Sequence, residues 1–340
     1  MIRMKIILLL LMCCGFVSTS CSFVSILRGF DLLKPPMHSL EENDEYEVIW
    51  NIENIYIPNN RNNPSLIGVP GKIIIQTPKA LFTQSLIAYD SLNGEKLWES
   101  DLGFFEYGMI AAHEDRIFRG TGGTASVSMY DPETGKRMWK THFITGHSAT
   151  DIYLNEDEVY VYTNNSQFYV VDLQGKVIKR RYYVSFRTFL AEDNLAYKET
   201  DFTINAKDLN TNNEIWSVDL ESAIVGSPVF DNGTIFLETS SGKDWLYSID
   251  QITGELNWKK SFQLISNFVV LKDTVHFIDS DGYLIALDRS TGEEISKIGF
   301  TEPFDLDQYY NGYFLAADRE NQMLAIYFAD NKQIMGVKMK

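Results

Sequence analysis

Short apolar runs recur along the chain, each bounded by turn residues, and none in residues 21–340 follows the 3.6-residue spacing of an amphipathic helix. Pro70-Gly71 precedes Lys72-Ile73-Ile74-Ile75, and Asp157-Glu158 precedes Val159-Tyr160-Val161-Tyr162. Asn232-Gly233 precedes Thr234-Ile235-Phe236-Leu237, and Asn311-Gly312 precedes Tyr313-Phe314-Leu315. Asn-Gly between strand formers is a strong hairpin signal, because both central residues accept positive φ. A second turn follows each run and leads into another, as in Ser280-Asp281-Gly282 before Tyr283-Leu284-Ile285-Ala286-Leu287. The pattern predicts short antiparallel strands throughout.

The strands fall into repeats. Leu86-Ile87-Ala88-Tyr89-Asp90 is followed by Asn93-Gly94-Glu95 and Leu97-Trp98. The same frame returns at Asp131, Gly135 and Trp139, and again at Asp250, Gly254 and Trp258, with Asp and Trp eight residues apart each time. Asp208 and Trp216 keep the spacing around Asn212, whereas Asp288 and Gly292 end in Ser296 instead of Trp. Asp172 with Gly175 is one residue short, and Leu324-Ala325-Ile326-Tyr327 is read as a seventh copy without Asp. Steps between the Asp positions, with Tyr327 as the last, are 41, 41, 36, 42, 38 and 39 residues. A period near 40 with four strands per unit predicts an all-β fold, a β-propeller of four-stranded blades. Seven blades are the primary reading, with eight as the alternative. Val48-Ile49-Trp50 and Gln333 to Lys340 are extra strands at the two ends, which either close the ring together or form a degenerate blade. In each unit the Asp is expected to cap its turn, the Gly to supply positive φ and the Trp to wedge against the next blade.

The first twenty residues read as an export signal. Arg3 and Lys5 precede a mostly apolar stretch, Ile6 to Val17, too short to span a bilayer, and Ser18-Thr19-Ser20-Cys21 follows. The domain reading is signal peptide 1–20, linker 21–47 with Pro35-Pro36, and propeller 48–340. Cys13, Cys14 and Cys21 are the only cysteines, so the chain beyond Cys21 has neither a disulfide nor a thiolate metal site. A net charge of −16 argues against nucleic acid, whose phosphates are bound by Lys and Arg.

The repeat unit resembles the PQQ-like (quinoprotein-type) repeat, in which Ala, Asp, Gly and Trp form a docking motif between blades. Ala88, Asp90, Gly94 and Trp98 carry the match, and Ala286, Asp288 and Gly292 carry all but the Trp. Small residues ending at Cys21 resemble a lipobox, which implies lipid attachment there; Ser18 stands where that pattern has Leu. The combination is similar to the propeller lipoproteins of the outer-membrane β-barrel assembly (Bam) machine, whose rings have eight blades. The resemblance implies a non-enzymatic, lipid-anchored scaffold in the periplasm or at the outer membrane, without cofactor or metal, that binds other envelope proteins. Its membrane contact would be through the lipid alone. The alternative is a quinoprotein-type, PQQ-dependent dehydrogenase or a small-ligand-binding propeller. A candidate partner patch lies in the third repeat, where the Trp is lost and Lys179, Arg180 and Arg181 stand beside Tyr182 and Tyr183. Asp279-x-Asp281-Gly282 reads as a hairpin turn rather than a calcium loop.

Overall fold

The structure is a computed structural model. It describes residues 37–340 except 59–64, 81–82, 104–107, 114, 122–125, 144–148, 155–156, 164–166, 183–187, 192–194, 201, 209–210, 212, 241–243 and 303–311. For residues 80, 150–151, 179–182, 188–191 and 195–200 only the backbone is described.

Twenty-eight strands among the described residues form seven four-stranded antiparallel sheets. The first strand in the chain is β1 (Tyr46–Ile52). Blade 1 then holds β2 (Leu66–Val69), β3 (Lys72–Ala80), β4 (Thr83–Asp90) and β5 (Lys96–Asp101). Blade 2 holds β6 (Gly108–His113), β7 (Arg116–Thr121), β8 (Ser126–Tyr130) and β9 (Arg137–His142). Blade 3 holds β10 (Ala149–Leu154), β11 (Glu158–Thr163), β12 (Gln167–Asp172) and β13 (Val177–Tyr182). Blade 4 holds β14 (Thr188–Ala191), β15 (Leu195–Thr200), β16 (Thr203–Asp208) and β17 (Glu214–Asp219). Blade 5 holds β18 (Ile224–Asp231), β19 (Thr234–Ser240), β20 (Asp244–Asp250) and β21 (Leu256–Ser261). Blade 6 holds β22 (Val269–Leu271), β23 (Thr274–Ile278), β24 (Tyr283–Asp288) and β25 (Glu294–Gly299). Blade 7 takes β26 (Tyr313–Asp318), β27 (Met323–Phe328) and β28 (Gln333–Met339) from the end of the chain and β1 from its beginning. First strands of successive blades neighbour one another around an axis, and last strands lie at the rim.

Ring closure decides between the two readings of the terminal strands. β1 pairs antiparallel with β28, with Trp50 opposite Gly336, so both belong to one blade and the ring has seven. It also corrects the frame of the seventh repeat. Tyr327 lies on the second strand, β27; Lys338 on β28 pairs with Met323 as Asp288 pairs with Thr274 and takes the Asp position. An apolar strand after a turn resembles any other, and only the pairing reveals its place in the blade.

The core lies between blades. One cluster joins Phe236, Leu246 and Trp258 of blade 5 to Val275, Phe277, Ile285 and Leu287 of blade 6. Inner strands therefore bury both faces, as in the fully buried β27, while rim strands such as β5 have no fully buried residue. Residues 37–45, assigned from the sequence to the linker, also lie on the ring. Glu41 N donates to Gly299 O and Thr301 N to Ser39 O, laying this segment along the end of β25. His38 stacks on Phe328 at 4.5 Å between centroids, and its Nε2 lies 2.8 Å from Asp330 Oδ2.

Candidate functional site

The Asp-x-x-x-Gly turns form one end of the ring, and their geometry repeats. Asp250 Oδ1 accepts hydrogen bonds from Ile252 N, Thr253 N and Thr253 Oγ1 at 2.7–2.9 Å. Asp288 does the same with Ser290 and Thr291. These donors hold both carboxyls below the usual aspartate range, chiefly through Thr253 N for Asp250 and Ser290 Oγ for Asp288. Asp90, Asp131 and Asp208 cap their turns in the same manner.

Five of these turns receive the Trp of the preceding blade. Trp50, Trp98, Trp139, Trp216 and Trp258 lie against Gly94, Gly135, Gly175, Gly254 and Gly292. The indole Nε1 donates to the carbonyl of the residue after the capping Asp, from Trp98 to Pro132 and from Trp258 to Arg289, both at 2.8 Å. Glycine is required twice over at 292: φ is +67°, and a Cβ there would lie 2.6 Å from Trp258 Cδ2.

Polar groups tie the same end together. Lys72 Nζ donates to Glu133 at 2.6 Å between blades 1 and 2. Fully buried Asp318 of blade 7 accepts Ser91 Oγ at 2.6 Å and Gly71 N at 3.0 Å from blade 1. Asp231 of blade 5 pairs with Arg289 at 2.9 Å and with Arg319, linking three blades. Elsewhere, Asp279 caps a hairpin through Asp281 N and Tyr283 N, as its sequence implied.

Blades 6 and 7 join differently. Ser296 stands opposite Ala286 where five other blades place Trp. Tyr46, at the start of β1, places its Oη 3.1 Å from His276 Nε2. His276 is fully buried, and desolvation pushes its pKa down to about 3; desolvation likewise pushes Tyr46 up to about 12.

An axial cavity of about 600 Å³ runs between the inner strands. Its walls are mainly aliphatic, with Ile67, Ile110, Ile152, Val229, Val270 and Leu315, and Arg319, Glu320 and His113 lie at the end carrying the Asp turns. Glu238 also lines it although it belongs to a second strand. The sequence reading passed over Glu238, His276 and Arg119, the last wholly buried with Nε donating to Gln76 Oε1 at 3.0 Å. Gly226 and Pro228 inside a strand pattern were the available signal for Glu238, since such residues mark bulges.

Of the sequence-derived site residues, the turn Asp, Gly and Trp positions come together at the joints. Cys21 and Tyr183 lie outside the described residues, as do the side chains of Lys179, Arg180, Arg181 and Tyr182. The backbone of those four runs along β13, an outer strand, with Arg180 opposite Tyr169. Among the described residues no group of three or more His, Cys, Asp or Glu is arranged to hold a metal ion, and no helix is long and apolar enough to cross a membrane.

Fold and repeat define the class: a seven-bladed propeller of PQQ-like repeats. Residues 83–298 match a family model described as outer membrane protein assembly factor BamB, and the chain belongs to that family. Its fold is similar to that of BamB from Moraxella catarrhalis, at 16% identity and TM-score 0.53 over 87% of this chain and 98% of that one. A chain of the mitotic checkpoint complex is similar at 10% identity and TM-score 0.66, over 90% and 96% of the two chains. The computationally designed Ika8 protein is similar at 14% identity and TM-score 0.55, over 85% and 99%. At these identities the structures share the fold alone. No curated protein sequence matches the chain.

Proposed function

We propose that the protein is an exported, non-enzymatic interaction scaffold of the bacterial cell envelope, held at its membrane by a lipid on Cys21. The observation that carries this reading is the family match over residues 83–298 to outer-membrane assembly factors. The signal-like segment before Cys21 and the absence of later cysteines support export and lipid attachment. The ring also supports a scaffold role: its capped turns, buried indoles and interblade ion pairs hold blades together and leave the rim for partners. Other envelope proteins are the partners, and the basic-aromatic stretch Lys179 to Tyr183, of which Lys179 to Tyr182 lie on the outer strand of blade 3, is their contact, Arg and Tyr being favoured at interface centres. The membrane is contacted only through the lipid, no nucleic acid is bound, and no cofactor is used. Mass spectrometry of the mature N-terminus tests the anchor. A diacylated Cys21 is expected; an unmodified Cys21, or unchanged membrane partitioning in Cys21→Ala, contradicts it. Reconstitution with PQQ and calcium tests the class, since stoichiometric quinone uptake with alcohol or sugar oxidation contradicts a non-enzymatic role.

A further inference from the structure

The axial wall is interrupted in blade 5. Register in β18 jumps from Val225 opposite Glu238 to Val229 opposite Phe236, so Gly226, Ser227 and Pro228 stand against the single residue Leu237. Gly226 takes φ +73°, a value that suits glycine, and Pro228 has no N–H to offer the ladder. Bulges of this kind re-aim side chains and concentrate beside functional sites. Here the bulge lets Glu238 line the cavity. Every other described lining residue belongs to a first strand or to the segment beside one.

Glu238 is 4% exposed. A carboxylate among aliphatic walls needs donors, and it has about four acceptor positions, so a donor in the cavity can be accepted beside its protein partners. Asn267, a side-chain amide in the wall, is committed: its Nδ2 donates to Leu315 O at 2.9 Å and its Oδ1 accepts Leu315 N at 2.8 Å. At the end carrying the Asp turns, His113 has its Nε2 buried and without a hydrogen-bond partner. The cavity volume of about 600 Å³ falls within the range of small-molecule sites, roughly 300–1,000 Å³. A net charge of −16 concentrates cations near the surface and repels anions.

We propose that the axial cavity is a binding site for a small amphiphilic amine. The ammonium group donates to Glu238 through the gap in β18, and the apolar body lies against Ile67, Ile110, Val229, Val270 and Leu315. Calorimetric titration of the processed chain with n-octylammonium chloride, n-octanol and sodium octanoate at pH 7 tests it. Saturable 1:1 binding of octylammonium is expected, with octanol at least tenfold weaker and octanoate silent. Glu238→Gln, close in shape to the parent, is expected to weaken octylammonium at least tenfold. Ser227→Phe, which fills the cavity from the bulge and keeps the carboxylate, is expected to abolish uptake and keeps the test open if the Gln variant folds poorly. Octanoate binding as well as octylammonium, unchanged affinity in either folded variant, or no saturable uptake by the parent would each overturn the proposal.

Discussion

The joint between blades 5 and 6 and the joint between blades 6 and 7 meet the same requirement with opposite chemistry. At the first, Trp258, 6% exposed, lays its indole over Gly292 and donates to Arg289 O. At the second, Ser296 holds the Trp position and Tyr46 reaches back from blade 7 to His276. The reason lies in ring closure. A docking Trp needs an Asp-x-x-x-Gly turn on the next blade, and blade 7 has none, because its last two strands are β28 and β1 from opposite ends of the chain. With no glycine to stack upon, the interface is filled from the other side by a tyrosine whose hydroxyl must find partners. The apolar joint tolerates acid; the polar one is sensitive to it.

Truncating the apolar joint carries the largest expected effect. Trp258→Ala removes a buried indole and should cost about 3–5 kcal/mol in urea unfolding, as for other buried aromatics. Gly292→Ala attacks the same contact from below and should cost at least 1 kcal/mol, from both the positive φ and the close indole. A loss below about 0.5 kcal/mol in both variants would show that the blades dock through other groups.

His276 supplies the next effect, and it depends on pH. Its folded-state pKa, pushed to about 3, lies below the ordinary value of 6.5, so between these values the unfolded chain binds the extra proton. The stability linked to this histidine is therefore full above pH 6.5 and declines as pH falls towards 3. At pH 4.5 the loss should be about 2–3 kcal/mol. Urea midpoints at pH 7.5 and 4.5, compared between the parent and His276→Gln, measure it. A parent that loses no more stability than the variant refutes a polar joint sensitive to acid.

Tyr46→Phe should have a smaller effect, about 1–2 kcal/mol, by leaving the buried Nε2 of His276 short of a partner. Asp288→Asn should cost less again, under about 1 kcal/mol, because its turn is exposed and asparagine keeps an acceptor. Its lowered pKa means that the Asp contribution is present above the ordinary carboxylate range and fades as pH falls through it.

The same contrast explains what the sequence made legible. Blades built from local hairpins with Asp, Gly and Trp at fixed offsets could be read directly, because each capped turn and the residues that signal it lie within ten residues. The seventh blade could not, since its fourth strand precedes its first by more than 260 residues, and the Leu324 to Tyr327 run looked like a third strand until its pairing was known. His276 and Tyr46, 230 residues apart, meet only in three dimensions, and neither sits in a motif. Glu238 reads as an ordinary strand residue, and only the bulge opposite gives it access to the axis.

The central claim, an envelope scaffold with its contact on blade 3, is tested most directly by affinity recovery from detergent-solubilised membranes of the native host. The parent protein should retain a stoichiometric envelope protein, and Arg180→Glu with Arg181→Glu should abolish that recovery while unfolding stability stays within roughly 1 kcal/mol of the parent, as for surface changes. No stoichiometric envelope partner with the parent, or equal recovery with the double variant, would contradict the account.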